Sequence, residues 1–159
     1  MQRPVRTNKE SLALDCVEVL GRLAALFEER RRQLASCAEL TVQQWQVLEE
    51  VTQEHFMPSM FAHKRASSAA AVSKILRQLA DKGIIVAHIS EADGRQRDYE
   101  VTPLGQKLLE KVRRERQRAI AEVWLSLSRE QLAGFQSIGD TLATKLQTWT
   151  EANRSTGTQ

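Results

Sequence analysis

The sequence predicts a mostly α-helical fold that contains one small β-hairpin. Long stretches on both sides of the middle place apolar residues three and four positions apart, which is the period of an amphipathic helix. The apolar period changes to alternation in "IIVAHIS" (84–90) and again in "DYEVT" (98–102), as expected for two paired strands. Two short helical stretches come directly before this alternation. The predicted order is therefore four helices, the hairpin and two more helices.

The composition places the chain in a broad class. Its 159 residues are enough for one domain with a moderate core, and a net charge of +3 permits nucleic-acid binding without requiring it. The two cysteines, Cys16 and Cys37, do not suggest a disulfide framework. The sequence has no signal-peptide pattern and no run of about 18 apolar residues that could span a membrane. These features predict a soluble, cytoplasmic protein.

The first two helices are defined by an apolar stripe and by a cap. The first is predicted from about Lys9 to about Ala35, and "EERRRQ" (28–33) is read as its solvated charged end. The second begins after Thr41, because the side chains of Thr41 and Gln44 fit a capping box. Both helices are therefore predicted from local signals alone.

The third and fourth helices are short and are joined by only a few residues. Pro58 fits the first position of the third helix, where its missing N–H costs nothing. Ser67 or Ser68 can cap the fourth helix, and Gly83 fits the left-handed conformation at which a helix stops. The connection between the two strands that follow is long for a tight turn, which suggests that the tip of the hairpin has a function.

The last two helices also carry start signals. Thr102 can cap a helix whose first residue is Pro103, and Ser128 fits a second capping box with Gln131. The residues from Asn153 onward are predicted to form a frayed polar tail. The first helix and these two keep apolar faces that one small domain can hardly cover. A second copy of the chain would cover them, so we predict a homodimer.

Three motifs carry a resemblance to a known family. They are "LTVQQWQVL", "FAHKRASSAAAVSKILRQLADKGII" and "DGRQRDYEVTPLG". In this order and at this spacing they resemble the MarR family of winged helix-turn-helix transcriptional regulators. The resemblance implies a winged helix-turn-helix at residues 40–103, flanked by N-terminal (1–39) and C-terminal (104–152) dimerisation helices, with a polar tail at 153–159.

The resemblance also implies a function. It implies a homodimer on double-stranded operator DNA, with each fourth helix, the recognition helix, in the major groove and each hairpin, the wing, at an adjacent minor groove. Many members are repressors released by small phenolic or aromatic acids. For this chain the resemblance suggests a hydroxylated benzoate or nicotinate as effector.

Candidate DNA-binding residues follow from these positions. Those on the recognition helix are Ser68, Ser73, Lys74 and Arg77, and those on the wing are Asp93, Arg95 and Arg97. Arg95 is expected to enter a narrow minor groove, where the negative potential is deepest. Asp93 is expected to hold Arg95 through a charge-assisted pair rather than to touch DNA. Arg97 is expected either to contact a phosphate or to lie solvated on the strand.

Two departures from the family pattern bear on DNA recognition. Ala69, Ala70 and Ala71 stand where members often carry polar or basic residues, so sequence reading is expected to depend on methyl contacts or DNA shape. His88 stands where members often have arginine at the end of the first wing strand. It is either a weaker, pH-dependent phosphate contact or an ordinary exposed strand histidine.

Candidate effector contacts gather near the second and third helices. They are Trp45, His55, Phe56 and His63, and Arg22 on the first helix is a fifth candidate. Arg22 is expected to meet a carboxylate. Trp45 has a simpler interpretation as a core residue, because an aromatic residue in a helical stripe usually packs inside.

Cys16 offers an alternative, redox-responsive regulator. It lies about where the hydroperoxide-sensing branch of the family has its reactive cysteine, but the tyrosines of that site are missing and the single tyrosine is Tyr99 in the wing. Cys16 also shares a stripe with Leu12, Val19 and Leu20, and a buried apolar cysteine is inert. We therefore favour a structural role for Cys16.

Other functional classes find little support. The sequence shows no metal-binding pair, no glycine-rich phosphate loop and no recognisable pairing of nucleophile and base, so neither a cofactor nor an enzymatic activity is expected. A winged-helix module that binds another protein instead of DNA stays open. Basic residues on both reading elements, Lys74 and Arg77 on the helix and Arg95 and Arg97 on the wing, argue against it.

Overall fold

A computed structural model describes residues 8–53, 56–89 and 97–156 of the chain. The elements are α1 (Asn8–Cys37), α2 (Val42–Val51), α3 (Pro58–Lys64), α4 (Ala69–Asp81), β1 (Ile85–Ile89), β2 (Arg97–Val101), α5 (Pro103–Val123) and α6 (Arg129–Thr156). A single 3-10 turn at Trp124–Ser126 separates the last two helices. The mostly helical fold with one antiparallel hairpin is therefore confirmed. The chain divides into two compact units, residues 1–115 and 116–159, which are described separately.

Local signals determine where the helices of the first unit begin and end. Thr41 Oγ1 accepts a hydrogen bond from Gln44 N, and Gln44 Oε1 accepts one from Thr41 N, both at 3.1 Å. Pro58 occupies the first turn of α3, as predicted. Ser68 caps α4, and Gly83 stops it with φ of 67°. These predictions are confirmed. Each of them depends on residues that are neighbours in sequence.

The core of the first unit packs α2, α3 and α4 against the C-terminal end of α1, the start of β1 and the first half of α5. Its buried apolar residues are Leu34, Ala35, Ala38, Leu40, Trp45, Val47, Leu48, Val51, Phe61, Ala62, Val72, Leu76, Leu79, Ile84, Ile85, Leu109 and Val112. Gln44 is the buried polar residue, and its Nε2 donates to Gln78 Oε1 at 3.1 Å. The same glutamine therefore begins α2 and ties it to α4.

The second unit contains the end of α5, the 3-10 turn and α6. Both halves of the predicted Ser128–Gln131 capping box are present at the start of α6. The ring of Trp124 meets the edge of Phe135, with ring centroids 5.8 Å apart. Large apolar residues on α6 are exposed: Phe135, Ile138, Leu142, Leu146 and Trp149.

Two sequence-based boundaries need correction. In the sequence, apolar residues recur at helical spacing from Leu108 to Leu127, which predicts one continuous helix, but α5 ends at Val123 and the next residues form the 3-10 turn. The frayed tail was expected from Asn153, but α6 continues to Thr156. Asn153 Nδ2 donates a hydrogen bond to Trp149 O at 2.8 Å, so this polar side chain stabilises the last turns of the helix.

The apolar face of α1 is exposed in the single chain. Cys16 was expected to be buried, but it is exposed here, as are large apolar residues along the same helix. These are Leu12, Leu14, Val17, Val19, Leu20, Leu26 and Phe27. A single chain was expected to leave the apolar face of the first helix uncovered, because helical periodicity identifies an apolar face without providing the surface that covers it. Burial of Cys16 therefore stays a prediction for the homodimer.

The turn between α3 and α4 contains a strained residue. Ala66 has φ of 48°, a left-handed conformation in which its Cβ crowds the backbone. We expect Ala66→Gly to raise the free energy of unfolding by about 0.5–1 kcal/mol, measured by urea denaturation, because glycine adopts this conformation without that cost. Ala70→Gly, in a regular turn of α4, is the matched control and should lower stability by about 1 kcal/mol. Equal losses in both variants would contradict the strain.

Candidate nucleic-acid interface and ligand cleft

The outer face of α4 carries two cations. Val72, Leu76 and Leu79 are buried, and helical spacing places Lys74 and Arg77 on the opposite side, where both are exposed. Within the described residues neither side chain forms a hydrogen bond or an ion pair. This leaves two positive charges directed away from the core and open to an anionic partner. Such an arrangement is what the phosphates of DNA require of a recognition helix.

The start of α4 has small side chains and a side-chain cap. Ser68 Oγ accepts a hydrogen bond from Ala71 N at 3.1 Å, so this predicted DNA contact has a structural role as well. Ala69 and Ala70 add only methyl groups to the exposed first turn, so the backbone N–H groups there can approach a phosphate closely. Ser73 is exposed and flanks the charged face. All four candidate residues of the recognition helix therefore lie on its accessible surface.

The hairpin places alternate residues on opposite faces. The cross-strand pairs Ile85–Val101, Ala87–Tyr99 and Ile89–Arg97 share one face, which the buried Ile85 and half-buried Val101 and Tyr99 turn toward the core. Arg97 lies at the far end of this face and is exposed. The predicted contacts Asp93 and Arg95 lie outside the described residues.

The other face of the hairpin is acidic. His88 pairs with Asp98 across the strands, and His88 Nε2 lies 3.7 Å from Glu100 Oε2. All three side chains are exposed. Two carboxylates beside the histidine make this face a poor surface for phosphate, so the structure favours an ordinary strand histidine over a phosphate contact.

One hydroxyl joins α4, the hairpin and α5. Thr102 Oγ1 lies 2.7 Å from Gly83 O and 3.0 Å from Ile84 O, to which it can donate, and it accepts a hydrogen bond from Gly105 N at 3.2 Å. Thr102 N donates to Ile84 O at 3.0 Å. Gly105 is buried, and a Cβ added there would clash with Ile84 O and lie 2.6 Å from Val101 Cγ1. The "VTPLG" segment therefore fixes the base of the hairpin.

A cleft of about 500 Å³ opens between the C-terminal end of α2 and α3. Its lining residues are Glu50, Gln53, Phe56, Met57, Ser59, Met60, Phe61, His63 and Lys64. A cleft of this size and mainly apolar lining can hold a small organic molecule. Two predicted effector contacts, Phe56 and His63, therefore lie in one cleft.

Two of the other effector candidates, Arg22 and Trp45, are not among the residues that line this cleft. Trp45 is 5% exposed and belongs to the core. Arg22 is exposed on α1, and His55 lies outside the described residues. The cleft also contains a cationic and an anionic residue, Lys64 and Glu50, that sequence reasoning missed. Lys64 Nζ lies 3.3 Å from Glu50 Oε1, although the two residues are fourteen positions apart in sequence. The only sequence signal for Lys64 was a positive charge in the helix that follows Pro58.

Aromatic contacts extend from this cleft in two directions. Phe56 meets Tyr99 of β2 nearly edge to face, with ring centroids 6.1 Å apart and an interplanar angle of 78°. Phe56 also contacts Phe61 of α3 at 6.2 Å. The guanidinium carbon of Arg65 lies 5.7 Å from the centroid of Phe61, in a cation–π arrangement. These rings connect the wing, the cleft and the turn of the helix-turn-helix.

No group of three or more His, Cys, Asp or Glu side chains among the described residues is placed to hold a metal ion. No helix in the described ranges is both long enough and apolar enough to cross a membrane.

Comparison with known proteins identifies solved structures that share this fold. No protein-family model and no curated protein match the chain. Solved structures do match it. The MarR family transcription regulator SP03579 has 15% sequence identity and a TM-score of 0.79, over 90% of this chain and 95% of that chain. The chain has the MarR fold.

Two further MarR-fold structures are informative through their bound molecules. A Staphylococcus aureus MarR in complex with salicylate and kanamycin has 19% identity and a TM-score of 0.71, over 87% of this chain and 95% of that chain. An S. aureus MepR–DNA complex has 19% identity and a TM-score of 0.63, over 79% of this chain and 96% of that chain. In the MarR fold, α3 and α4 form the helix-turn-helix and β1 and β2 form the wing.

Proposed function

We propose that this protein is a homodimeric, DNA-binding transcriptional regulator. The observation that carries the proposal is the outward face of α4, where Lys74 and Arg77 lie exposed without an ion pair among the described residues. They lie directly before a hairpin at the position of the wing, and phosphate neutralisation by such cations supplies most non-specific DNA affinity. The MarR fold, with one neighbour bound to DNA, supports the same function.

The homodimer is supported by apolar surface on each unit taken by itself. Leu12, Val19 and Leu20 of α1 are between 45% and 61% exposed. The exposed large apolar residues of α6 are Phe135, Ile138, Leu142, Leu146 and Trp149. Contiguous apolar surface of this kind marks an interaction site, and a second copy of the chain is the partner that we propose. We propose further that the protein acts in the cytoplasm, uses no cofactor and is not an enzyme.

We propose that the regulator is a repressor, released from its operator by a small aromatic acid such as a hydroxylated benzoate or nicotinate. The cleft supports this ligand class, since phenylalanine and methionine side chains can hold a ring while Lys64 and His63 attract a carboxylate. The salicylate complex of the MarR-fold neighbour gives a precedent in another protein.

We favour this function over the redox alternative. Cys16 is exposed, but within the described chain its thiol has no hydrogen-bond partner that would activate it. The single tyrosine, Tyr99, contacts Phe56 on the wing side of the molecule.

The test of DNA binding is a salt titration of the wild-type protein on duplex DNA selected from a random library. We expect log affinity to fall linearly with log salt concentration, with a slope of about −0.9 for each phosphate neutralised. A winged-helix module that binds only protein would show no DNA affinity. Size-exclusion chromatography with light scattering gives the oligomeric state of the same preparation.

The wing provides a second expected result, based on the sequence motif. We expect Arg95→Ala to weaken binding to the selected DNA by about 10-fold or more, since one good groove contact contributes about 1–3 kcal/mol. Arg97→Ala is the matched control and should lose less affinity, because a phosphate contact carries no sequence information. Electrophoretic mobility shifts measure both, and an unchanged affinity for Arg95→Ala would refute the minor-groove role.

A further inference from the structure

Phe56 belongs to two parts of the molecule at once. It lines the cleft between α2 and α3, and its ring packs nearly perpendicular to that of Tyr99 on β2. Tyr99 is half-buried, packs against the core, and is not one of the residues that line the cleft. A molecule that enters the cleft therefore touches a ring that also contacts the wing.

The chemistry of the cleft specifies a ligand class. Phe56, Phe61, Met57 and Met60 provide an apolar, polarisable surface that suits a flat ring. The Lys64 side chain is 67% exposed, and exposed ion pairs such as the one with Glu50 are weak. A ligand carboxylate can therefore take the place of Glu50 beside Lys64 at little cost.

We propose that Phe56 couples occupancy of this cleft by a small aromatic carboxylate to the position of the wing, through its edge contact with Tyr99. The inference deepens the proposed function and rests on it. Edge-to-face pairs have preferred geometries, so a ring inserted beside Phe56 changes the position at which Tyr99 packs best. A ligand can shift a regulator only if it binds the two arrangements differently, and this contact provides such a difference.

The strand that carries Tyr99 also carries Arg97, a candidate DNA contact. Tyr99 and Arg97 lie two residues apart on the same face of β2, so a displacement of Tyr99 moves Arg97 with it. Thr102 holds the opposite end of β2 to Gly83 and Ile84. Because β2 is held at its Thr102 end, a displacement of Tyr99 moves the Arg97 end of the strand more than the anchored end.

The first test separates ligand binding from release. Salicylate is the probe, its affinity is measured by calorimetry without DNA, and DNA affinity is measured by fluorescence anisotropy with and without salicylate. For the wild type and Tyr99→Phe we expect salicylate to weaken DNA binding by about 10-fold, within the usual range of allosteric coupling. For Tyr99→Leu we expect unchanged salicylate affinity and a weakening of less than about 3-fold.

The second test examines the ligand class in the cleft itself. Salicylamide has the same ring without the negative charge, and should bind the wild type about 10-fold more weakly than salicylate, since it cannot form an ion pair with Lys64. Lys64→Gln should bind salicylate and salicylamide about equally. Equal preference for salicylate in the wild type and Lys64→Gln would place the carboxylate elsewhere and overturn the assignment.

A third measurement does not depend on how well the Leu variant folds. Tyr99 is the single tyrosine of the chain, so incorporation of 3-fluorotyrosine gives one ¹⁹F resonance that reports on the Phe56 contact. Salicylate should shift this resonance with the same dissociation constant that calorimetry gives.

Three results would overturn the inference. They are a ¹⁹F resonance that salicylate leaves unmoved, full release by Tyr99→Leu, and a wild type that binds DNA without binding salicylate. A wild type that binds salicylate but no DNA would contradict the proposed function instead, and this inference would fall with it.

Discussion

Gly105→Ala is expected to lower the free energy of unfolding by about 2–3 kcal/mol, the upper part of the range for overpacking a core. The added Cβ would overlap Ile84 O and lie 2.6 Å from Val101 Cγ1. Ile84 O cannot move easily, because it is a backbone atom that accepts a hydrogen bond from Thr102 N. The first turn of α5 would have to leave the hairpin. Urea denaturation followed by far-UV circular dichroism measures the loss.

A matched glycine is available for comparison. Gly134 lies in α6, and a Cβ added there would meet no atom within 4 Å. Gly134→Ala should therefore stabilise the protein by about 0.5–1 kcal/mol through helix propensity alone. If Gly105→Ala were as harmless as Gly134→Ala, the close approach of α5 to the hairpin would be wrong.

The double variant Lys74→Gln, Arg77→Gln is expected to bind DNA far more weakly while keeping its stability. Both side chains are exposed and form no ion pair within the described residues, so their removal leaves the core unchanged. The slope of log affinity against log salt should decrease by about 0.9 for each phosphate that is no longer neutralised, and in a homodimer each substitution affects two phosphates. At low salt the affinity should fall by about 100-fold or more.

The control for this variant is another exposed lysine. Lys145 lies on α6, away from both reading elements in sequence, and Lys145→Gln removes a charge that is not proposed to meet DNA. Its salt slope should match the wild type. Equal reductions of affinity in Lys145→Gln and the double variant would mean that overall charge, rather than the face of α4, governs DNA binding.

Local sequence signals were sufficient to predict the elements of this fold. Thr41 with Gln44, Ser128 with Gln131, and Gly83 each depend on residues within one helical turn, and all three behave as predicted. β1 begins at Ile85 and β2 ends at Val101, each differing by one residue from the sequence-based bound, because alternation alone does not show where pairing begins or ends.

Contacts between distant parts of the chain were not predictable in the same way. The cleft depends on how α3 folds back on the end of α2, and the contact of Phe56 with Tyr99 joins residues 43 positions apart in sequence. Periodicity gave Cys16 an apolar stripe but could not show that the stripe is exposed in the chain. The candidate DNA contacts on the recognition helix were easier to predict, because residues opposite a buried stripe are exposed on any packed helix.

The hydroxyl of Thr102 has a consequence for how the wing can change during evolution. It binds the end of α4 at Gly83 and the start of α5 at Gly105, so both ends of the hairpin are anchored at one point. An insertion between Thr102 and Gly105 would break this anchor. A single residue inserted within a strand would move every following side chain to the opposite face. Variation in wing length among descendants of this sequence should therefore be confined to the segment between β1 and β2.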